Sequence, residues 1–347
     1  MNVLGGVYGR ATALRRAWYG RRPERVRRLD RPVISIGNLA AGGSGKTPLV
    51  ATLARLLAYA GERPSVLSRG YARRDAPAGV VVVSDGERVL APPTQSGDEP
   101  FMLAYALPRV PVLVSRERYL AGRLAERHFG CTVHLLDDGF QHLQLARDVD
   151  LVVVSAADLR DRLLPAGRLR EPLAAAHAAG ALLVPGTEAD VEVVTSRTGV
   201  DTAFRVSVRY HPLQLITDDP QGAAADLHAG PATRPVLALA GIARPERFFA
   251  ALRALGWSIG RELVFRDHHW YTPRDISRIE QAAFSAGATL IVTTEKDAAR
   301  LSPSLVLAPP AWAVLPMELL VEPVDRFASW LAGRLAAARR QRIEAAA

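Results

Sequence analysis

The sequence predicts an α/β protein: a doubly wound, mostly parallel sheet followed by a second, smaller α/β domain. Three observations carry this. Short β-branched runs alternate with helix-like runs from residue 33 to 154, the order that makes parallel strands with crossover helices. The alternation resumes near residue 236, after a Gly/Ala/Pro/Asp-rich stretch at 218–235. A chain of 347 residues, nearly half of them hydrophobic, also exceeds one ordinary core and fits about two domains.

Taken in order, residues 33–37 read as a buried strand and 46–60 as a helix ending at Gly61. A second strand at 64–67 leads into 68–71, and 80–90 reads as a hairpin turning at Asp85-Gly86. "SGDEPFMLAYAL" opens a helix with Asp98 placed as its cap; a strand at 110–114 and a helix at 119–129 follow. "CTVHLLDD" is a buried strand ending in two acids, and 149–154 is another strand. Residues 203–210 alternate with period two, as a half-exposed antiparallel strand does. "PVLALAGIARPERFFAALRALGW" starts a second strand–loop–helix unit, continued by strands at 288–294 and near 312–315 and a helix from Asp325. The expected division is a basic amphipathic helix at 1–30, belonging to the first domain, whose body is 31–190. Linker strands at 191–230, a smaller domain at 231–325, and a C-terminal helix and tail at 326–347 complete it.

The net charge of +9 is local. Residues 1–31 hold nine arginines against two acids, a surplus of seven, and the remainder of the chain carries a surplus of two. A nucleic-acid partner is not expected from so confined an excess. On a helical wheel Val3, Leu4, Val7, Ala11, Leu14 and Trp18 share one arc, flanked by Arg10 and Arg15, with Arg16 opposite. Such a helix can lie in a bilayer interface with arginines on anionic headgroups, or pack on its own domain. A single cysteine, Cys131, excludes an intramolecular disulfide framework. No stretch reaches the roughly 18–20 apolar residues of a membrane span or reads as a secretory signal, so the expected place is cytoplasmic. The chain has 42 arginines and two lysines, Lys46 and Lys296, so a retained lysine points to a task for a compact ammonium.

"NLAAGGSGKTPLV" has the parts of a phosphate loop, with a strand before it and a helix after. Gly42, Gly43, Ser44 and Gly45 supply backbone amides, Lys46 the ammonium and Thr47 a hydroxyl for Mg²⁺. Ala40 stands where the strict motif has glycine. "LLDDGFQH" brings Asp137 and Asp138 to the edge of the sheet near that loop, where an acid organises Mg²⁺ in P-loop enzymes. "SGDEP" reads either as a capped helix start or as a carboxylate pair, Asp98 and Glu99, at the mouth of the phosphate site. "RDHHWYTP" and "TTEKDA" sit at helix starts, and the rarity of lysine draws Lys296 toward function.

These stretches together resemble the tetraacyldisaccharide 4′-kinase family. "ISIGNLAAGGSGKTP", "LSRGY", "GDEP", "LLDDGFQHLQLARDVDLVVV", "LLPAGRLREP", "AGIARPERFF", "DHHWYT" and "TTEKDA" carry the resemblance, in order from residue 34 to 297. Ala40 fits the family's own form of the loop. The resemblance implies a P-loop NTPase-like fold of two α/β/α domains joined by a two-stranded linker. It also implies ATP- and Mg²⁺-dependent phosphorylation of the 4′-hydroxyl of a tetraacyldisaccharide 1-phosphate in lipid A biosynthesis. The implied location is peripheral, on the cytoplasmic face of the bacterial inner membrane, against an anionic membrane surface, because a substrate with four acyl chains stays in the bilayer.

Carried onto this sequence, the resemblance makes Asp98 the acceptor of the sugar hydroxyl's proton, oriented by His268, with Lys46 on the outer phosphates. Lys296 joins the loop in nucleotide binding. Thr47, Glu99, Asp137 and Asp138 are the Mg²⁺ candidates. Arg69, Gln141, Arg170 and Glu171 line the cleft. A membrane-positioning P-loop ATPase without a small-molecule acceptor is the alternative. Such proteins place a second lysine before the glycine pair, where this chain has Ala41. A guanine-specific switch would want an [NT]-K-x-D reader, which "TEKD" spaces wrongly.

Overall fold

The computed structural model describes residues 3–42, 45–71, 73–216, 235–301 and 310–346. The glycine-rich linker segment and, in the phosphate loop, Gly43 and Ser44 lie outside the described residues.

A helix, α1 (Val3–Gly20), precedes the first sheet unit: β1 (Val33–Asn38), α2 (Lys46–Tyr59) and β2 (Pro64–Ser68). Next come β3 (Val81–Ser84), α3 (Pro93–Ser96), α4 (Asp98–Ala106), β4 (Val112–Val114), α5 (Arg118–Phe129), β5 (Val133–Asp137) and β6 (Val149–Val153). The unit continues through β7 (Ala181–Pro185), α6 (Glu188–Thr198) and β8 (Ala203–Tyr210). A second group follows: β9 (Gln214–Leu215), β10 (Val236–Ala240), α7 (Pro245–Ala254), β11 (Ile259–Val264), α8 (Pro273–Ser285), β12 (Leu290–Thr294), α9 (Glu295–Leu301) and β13 (Ala311–Leu315). The chain then returns through β14 (Met317–Glu322) and ends in α10 (Val324–Ala346).

Nine strands form the larger sheet in the order β14-β8-β7-β6-β1-β5-β2-β4-β3, and five form the smaller, β11-β10-β12-β13-β9. Within the larger sheet every pair from β4 through β8 is parallel, and only the edge strands β3 and β14 run antiparallel. The strand order reverses at β1, so ligand loops gather at its C-terminal end. β1 is buried along its whole length, as a central parallel strand must be. α2, α4 and α10 cover one face: Leu49 and Leu53 of α2, Leu103 of α4, and Phe327 and Leu331 of α10 share one core with Ile34 and Ile36. Arg339 and Arg342 then clamp α10 by paired contacts to Glu62 and Asp148, at 2.7–2.8 Å.

β8 pairs antiparallel with β14 over its second half and beyond, and parallel with β7 over its first, so its period-two pattern reflects burial that fades along the strand. The hairpin expected at 80–90 closes only by a single bridge, Ser84 to Val89; β3 instead takes β4 as its antiparallel partner. Asp98 is not the cap of its helix. Gly97 occupies that position and Asp98 is the first helical residue, its side chain drawn away to a partner described below.

Gly37 fixes the close approach of β1 to the "DDGF" turn, since a Cβ there would lie 2.4 Å from Phe140 Cβ. Gly37→Ala is expected to lower stability by about 1–3 kcal/mol through overpacking. Equilibrium urea unfolding of the variant against the parent measures it.

Candidate active site

The C-terminal end of β1 places the phosphate loop. Gly42 and Gly45 take positive φ, and Gly45 turns the chain into α2 with Lys46 as its first residue. Ala40 does not disturb the loop, because it is buried in an antiparallel bridge to Leu169. The neighbouring Ala41 amide donates to the Arg168 carbonyl at 2.6 Å, and the Arg170 amide to the Leu39 carbonyl at 2.6 Å. Position 40 therefore serves as a strand-like contact, which tolerates a methyl group. Lys46 Nζ donates to Asn38 Oδ1 at 2.9 Å and lies 3.4 Å from Asp138 Oδ1; Thr47 beside it is buried.

β5 runs beside β1 with Asp137 opposite Ile36, which delivers both aspartates to the same sheet edge. They differ in state. Burial first, then the charges of Glu99 and Asp138, push Asp137 up to about 7. Its Oδ1 is buried with no hydrogen-bond partner among the described residues. Burial also acts against Asp138, but the Arg170 fork, at 2.9 and 2.8 Å, and Lys46 outweigh it and hold that carboxyl at about 2. Asp138 sits at a positive φ of 49°. Gln141 Nε2 donates to the Asn38 carbonyl at 3.0 Å. Arg69 lies near Arg118 and His142, and Arg118 is pushed down to about 10 by burial and by Arg69. Glu171 turns to α1, where Arg16 grips it at 2.9 and 3.0 Å.

The second group of strands supplies the other wall. His268, 170 positions beyond Asp98, donates from Nδ1 to Asp98 Oδ2 at 2.9 Å. Its backbone has φ of 60°, uncommon for a residue with a side chain and stabilised by its own amide donating to Asp267 Oδ1 at 3.0 Å. His269 faces elsewhere, bonding Asp275 at 3.1 Å in the capping box that starts α8. Geometry thus selects His268 from the adjacent pair. Lys296 Nζ lies 3.3 Å from His268 Nε2, 3.4 Å from Glu99 and Asp267, and 3.9 Å from Asp98. Burial raises Asp98, but the His268 bond and the charges of Lys296, His268 and Arg300 outweigh it and hold the carboxylate below its ordinary range.

Among the described residues no three His, Cys, Asp or Glu side chains are grouped closely enough to hold a metal ion themselves. A hard cation that keeps several waters and takes phosphate oxygens needs only one or two protein carboxylates. The unpartnered Asp137 Oδ1, with Glu99 and Asp138 near it, fits such an ion.

The sequence profile of the tetraacyldisaccharide-1-P 4′-kinase family matches residues 1–336. The chain belongs to this family. The tetraacyldisaccharide 4′-kinase of Syntrophus aciditrophicus is 40% identical over 346 residues, covering 94% of this chain and 90% of the relative. That of Geobacter metallireducens is 40% identical over 310 residues, covering 87% and 88%. LpxK from Aquifex aeolicus, solved in complex with ATP, matches with a TM-score of 0.77 at 31% identity, over 96% of this chain and 97% of that one. In this member of the tetraacyldisaccharide 4′-kinase family, sequence reasoning missed Asp267, beside Lys296, and Arg300, buried behind Asp98. Arg300 was open to detection, being four residues after Lys296 and so on the same side of a helix.

His142, next to Gln141, is pushed down to about 3 by burial and by Arg118 and Arg147. Unfolded, it protonates near the ordinary value of 6.5. Between these values the unfolded chain binds a proton the folded chain refuses, so stability falls as pH falls. His142→Asn is expected to remove a slope of up to about 1.4 kcal/mol per pH unit between about pH 6 and pH 4. Urea titrations of parent and variant across that range measure the difference.

Proposed function

We propose that this chain transfers the γ-phosphoryl group of ATP to the 4′-hydroxyl of tetraacyldisaccharide 1-phosphate, with Asp98 as the group that takes the hydroxyl proton. The observation that carries the residue assignment is the 2.9 Å contact between Asp98 and His268, beside a lysine-bearing phosphate loop. In the transfer a bond forms between the 4′ oxygen and the γ-phosphorus, the β–γ bridging P–O bond breaks, and ADP leaves. The hydroxyl proton passes to Asp98.

A carboxylate below its ordinary range is a weak base. Its contribution is therefore orientation of the hydroxyl and late acceptance of the proton, which a loose transition state permits. His268 holds the carboxylate in place through Nδ1–H. Lys46 and the loop amides offset charge on the β- and γ-phosphates. Thr47 and Glu99 would hold Mg²⁺, with Asp137 and Asp138 ordering its water shell; the ion neutralises phosphate charge when bound. Arg170 is committed to Asp138 and acts on the phosphates through it, whereas Lys296 reaches the nucleotide only by leaving its acidic neighbours. The two sheets act as separate domains divided near 211–213 and 316, with His268 and Lys296 carried by the smaller.

We place the protein at the cytoplasmic face of the inner membrane. The support is α1. No helix among the described residues is long and apolar enough to cross a membrane. α1 docks through its small and polar side, Gly5 and Gly9 against Leu163 and Arg16 on Glu171 and over the Phe140 ring at 4.3 Å. Its apolar stripe faces outward, with Leu4 64%, Val7 60% and Leu14 69% exposed. A water-facing helix would be packed the other way round. An interfacial helix must be packed like this one.

Asp98→Ala is expected to lower turnover about 10²–10⁴-fold while ATP still binds. An assay with ATP, Mg²⁺ and detergent-dispersed disaccharide 1-phosphate reads it. Acceptor-independent ATP hydrolysis with a silent Asp98→Ala would favour the ATPase alternative. Removal of residues 1–20 is expected to release the protein from anionic vesicles, as followed by co-sedimentation.

A further inference from the structure

α9 presents two cations to α4. Lys296 and Arg300 are four residues apart, and Asp98 Oδ2 lies 3.9 Å from the first and 3.4 Å from the second. Arg300 has a side chain with no exposure at all, so it touches neither solvent nor a bound substrate. Its NH2 arm is fully engaged: it donates to the Gly241 carbonyl at 2.9 Å and to Asp297 Oδ1 at 2.5 Å. Asp297 is equally buried and is itself fixed by the Gly241 amide at 2.9 Å, the Tyr271 hydroxyl at 3.0 Å and the Thr294 hydroxyl at 2.7 Å.

Asp297 alone neutralises Arg300, so charge balance does not require the second arm. That NH1 arm is buried, makes no hydrogen bond among the described residues, and stands as an ion pair 3.4 Å from Asp98 Oδ2. We propose that Arg300 is a positioning residue for phosphoryl transfer, holding Asp98 Oδ2 in place so that Oδ1 is the oxygen offered to the acceptor hydroxyl. The proposal rests on the assignment of Asp98 made above. Oδ2 is crowded by His268, Arg300 and Lys296, whereas Oδ1 bonds only the Glu99 amide, at 3.1 Å, among the described residues. Arginine suits the task because a rigid planar fork can grip Asp297 with one arm and reach Asp98 with the other. The strut is anchored in the smaller sheet, through the β10 exit at Gly241 and the Thr294 end of β12. The carboxylate is therefore fully positioned only when α9 sits against α4.

Arg300→Lys keeps a charge for Asp297 but cannot span both partners. In the full chain with detergent-dispersed acceptor, it is expected to lower kcat about 10–100-fold, the cost of a small misplacement of a reacting group. KM for ATP and for acceptor should stay within about threefold, since neither is touched. In an Asp98→Ala background the same change should alter the residual rate by less than about threefold, because both act through one group. An equal loss in that background, a loss confined to KM, or an unchanged kcat overturns the proposal. Should Arg300→Lys fail to fold, Arg300→Gln with Asp297→Asn removes both buried charges together and carries the same test. Parental turnover in Asp98→Ala would overturn the base assignment and this proposal with it. A slow Asp98→Ala beside a fast Arg300→Lys overturns the role of Arg300 alone.

Discussion

Repulsion among carboxylates sets the terms of this cleft. Asp98, Glu99, Asp137, Asp138 and Asp267 converge beside the phosphate loop, and each negative charge must be offset. Asp138 is held ionised by Arg170 and Lys46; Asp98 by His268, Lys296 and Arg300. Asp137, whose Oδ1 has no hydrogen-bond partner among the described residues, is the one pushed up to about 7. Burial and the neighbouring carboxylates Glu99 and Asp138 thus make Asp137 the member of the cluster whose charge is least well offset.

The offsetting charges come from separate places in the chain. Lys46 and Arg170 belong to the larger sheet, while His268, Lys296 and Arg300 come from the smaller. Neither group alone makes a balanced site. The charge balance around Asp98 is thus a property of the contact between α4 and α9, which brings together residues far apart in sequence.

Much of this was legible beforehand. The loop from Asn38 to Thr47 declared itself because a phosphate cradle is local: a buried strand, glycines, a lysine and a helix in succession. The "LLDD" strand end was equally local. What escaped depended on long-range pairing. β14 has a strand-like sequence, but nothing in it names Arg205–Tyr210 as a partner more than a hundred residues away. β11 is an edge strand with little burial, so it has no periodic signature. Asp98 read as a helix cap because acids favour that position, and only its partners, the half-buried His268 and the buried Arg300, reveal why it lies one residue inside. The N-terminal wheel gave the apolar stripe but not its direction. That was decided by Gly9 and Arg16 on the opposite side, docked on Leu163 and Glu171.

The return of the chain through β14 has a mechanical consequence. The smaller sheet is entered from β8 and left through β14, two strands paired over six positions, and the His211 amide ties the crossings together at Pro316. Two antiparallel crossings bonded side by side resist torsion more than a single linker would. β14 also packs beside the phosphate loop: Thr52 of α2 bonds the Leu319 carbonyl at 2.6 Å, and Leu319 lies 3.0 Å from where a side chain on Gly45 would start. The strand that leads back from the smaller sheet is therefore also packed against the start of α2, so the connection between the two sheets and the setting of the phosphate loop share one piece of backbone.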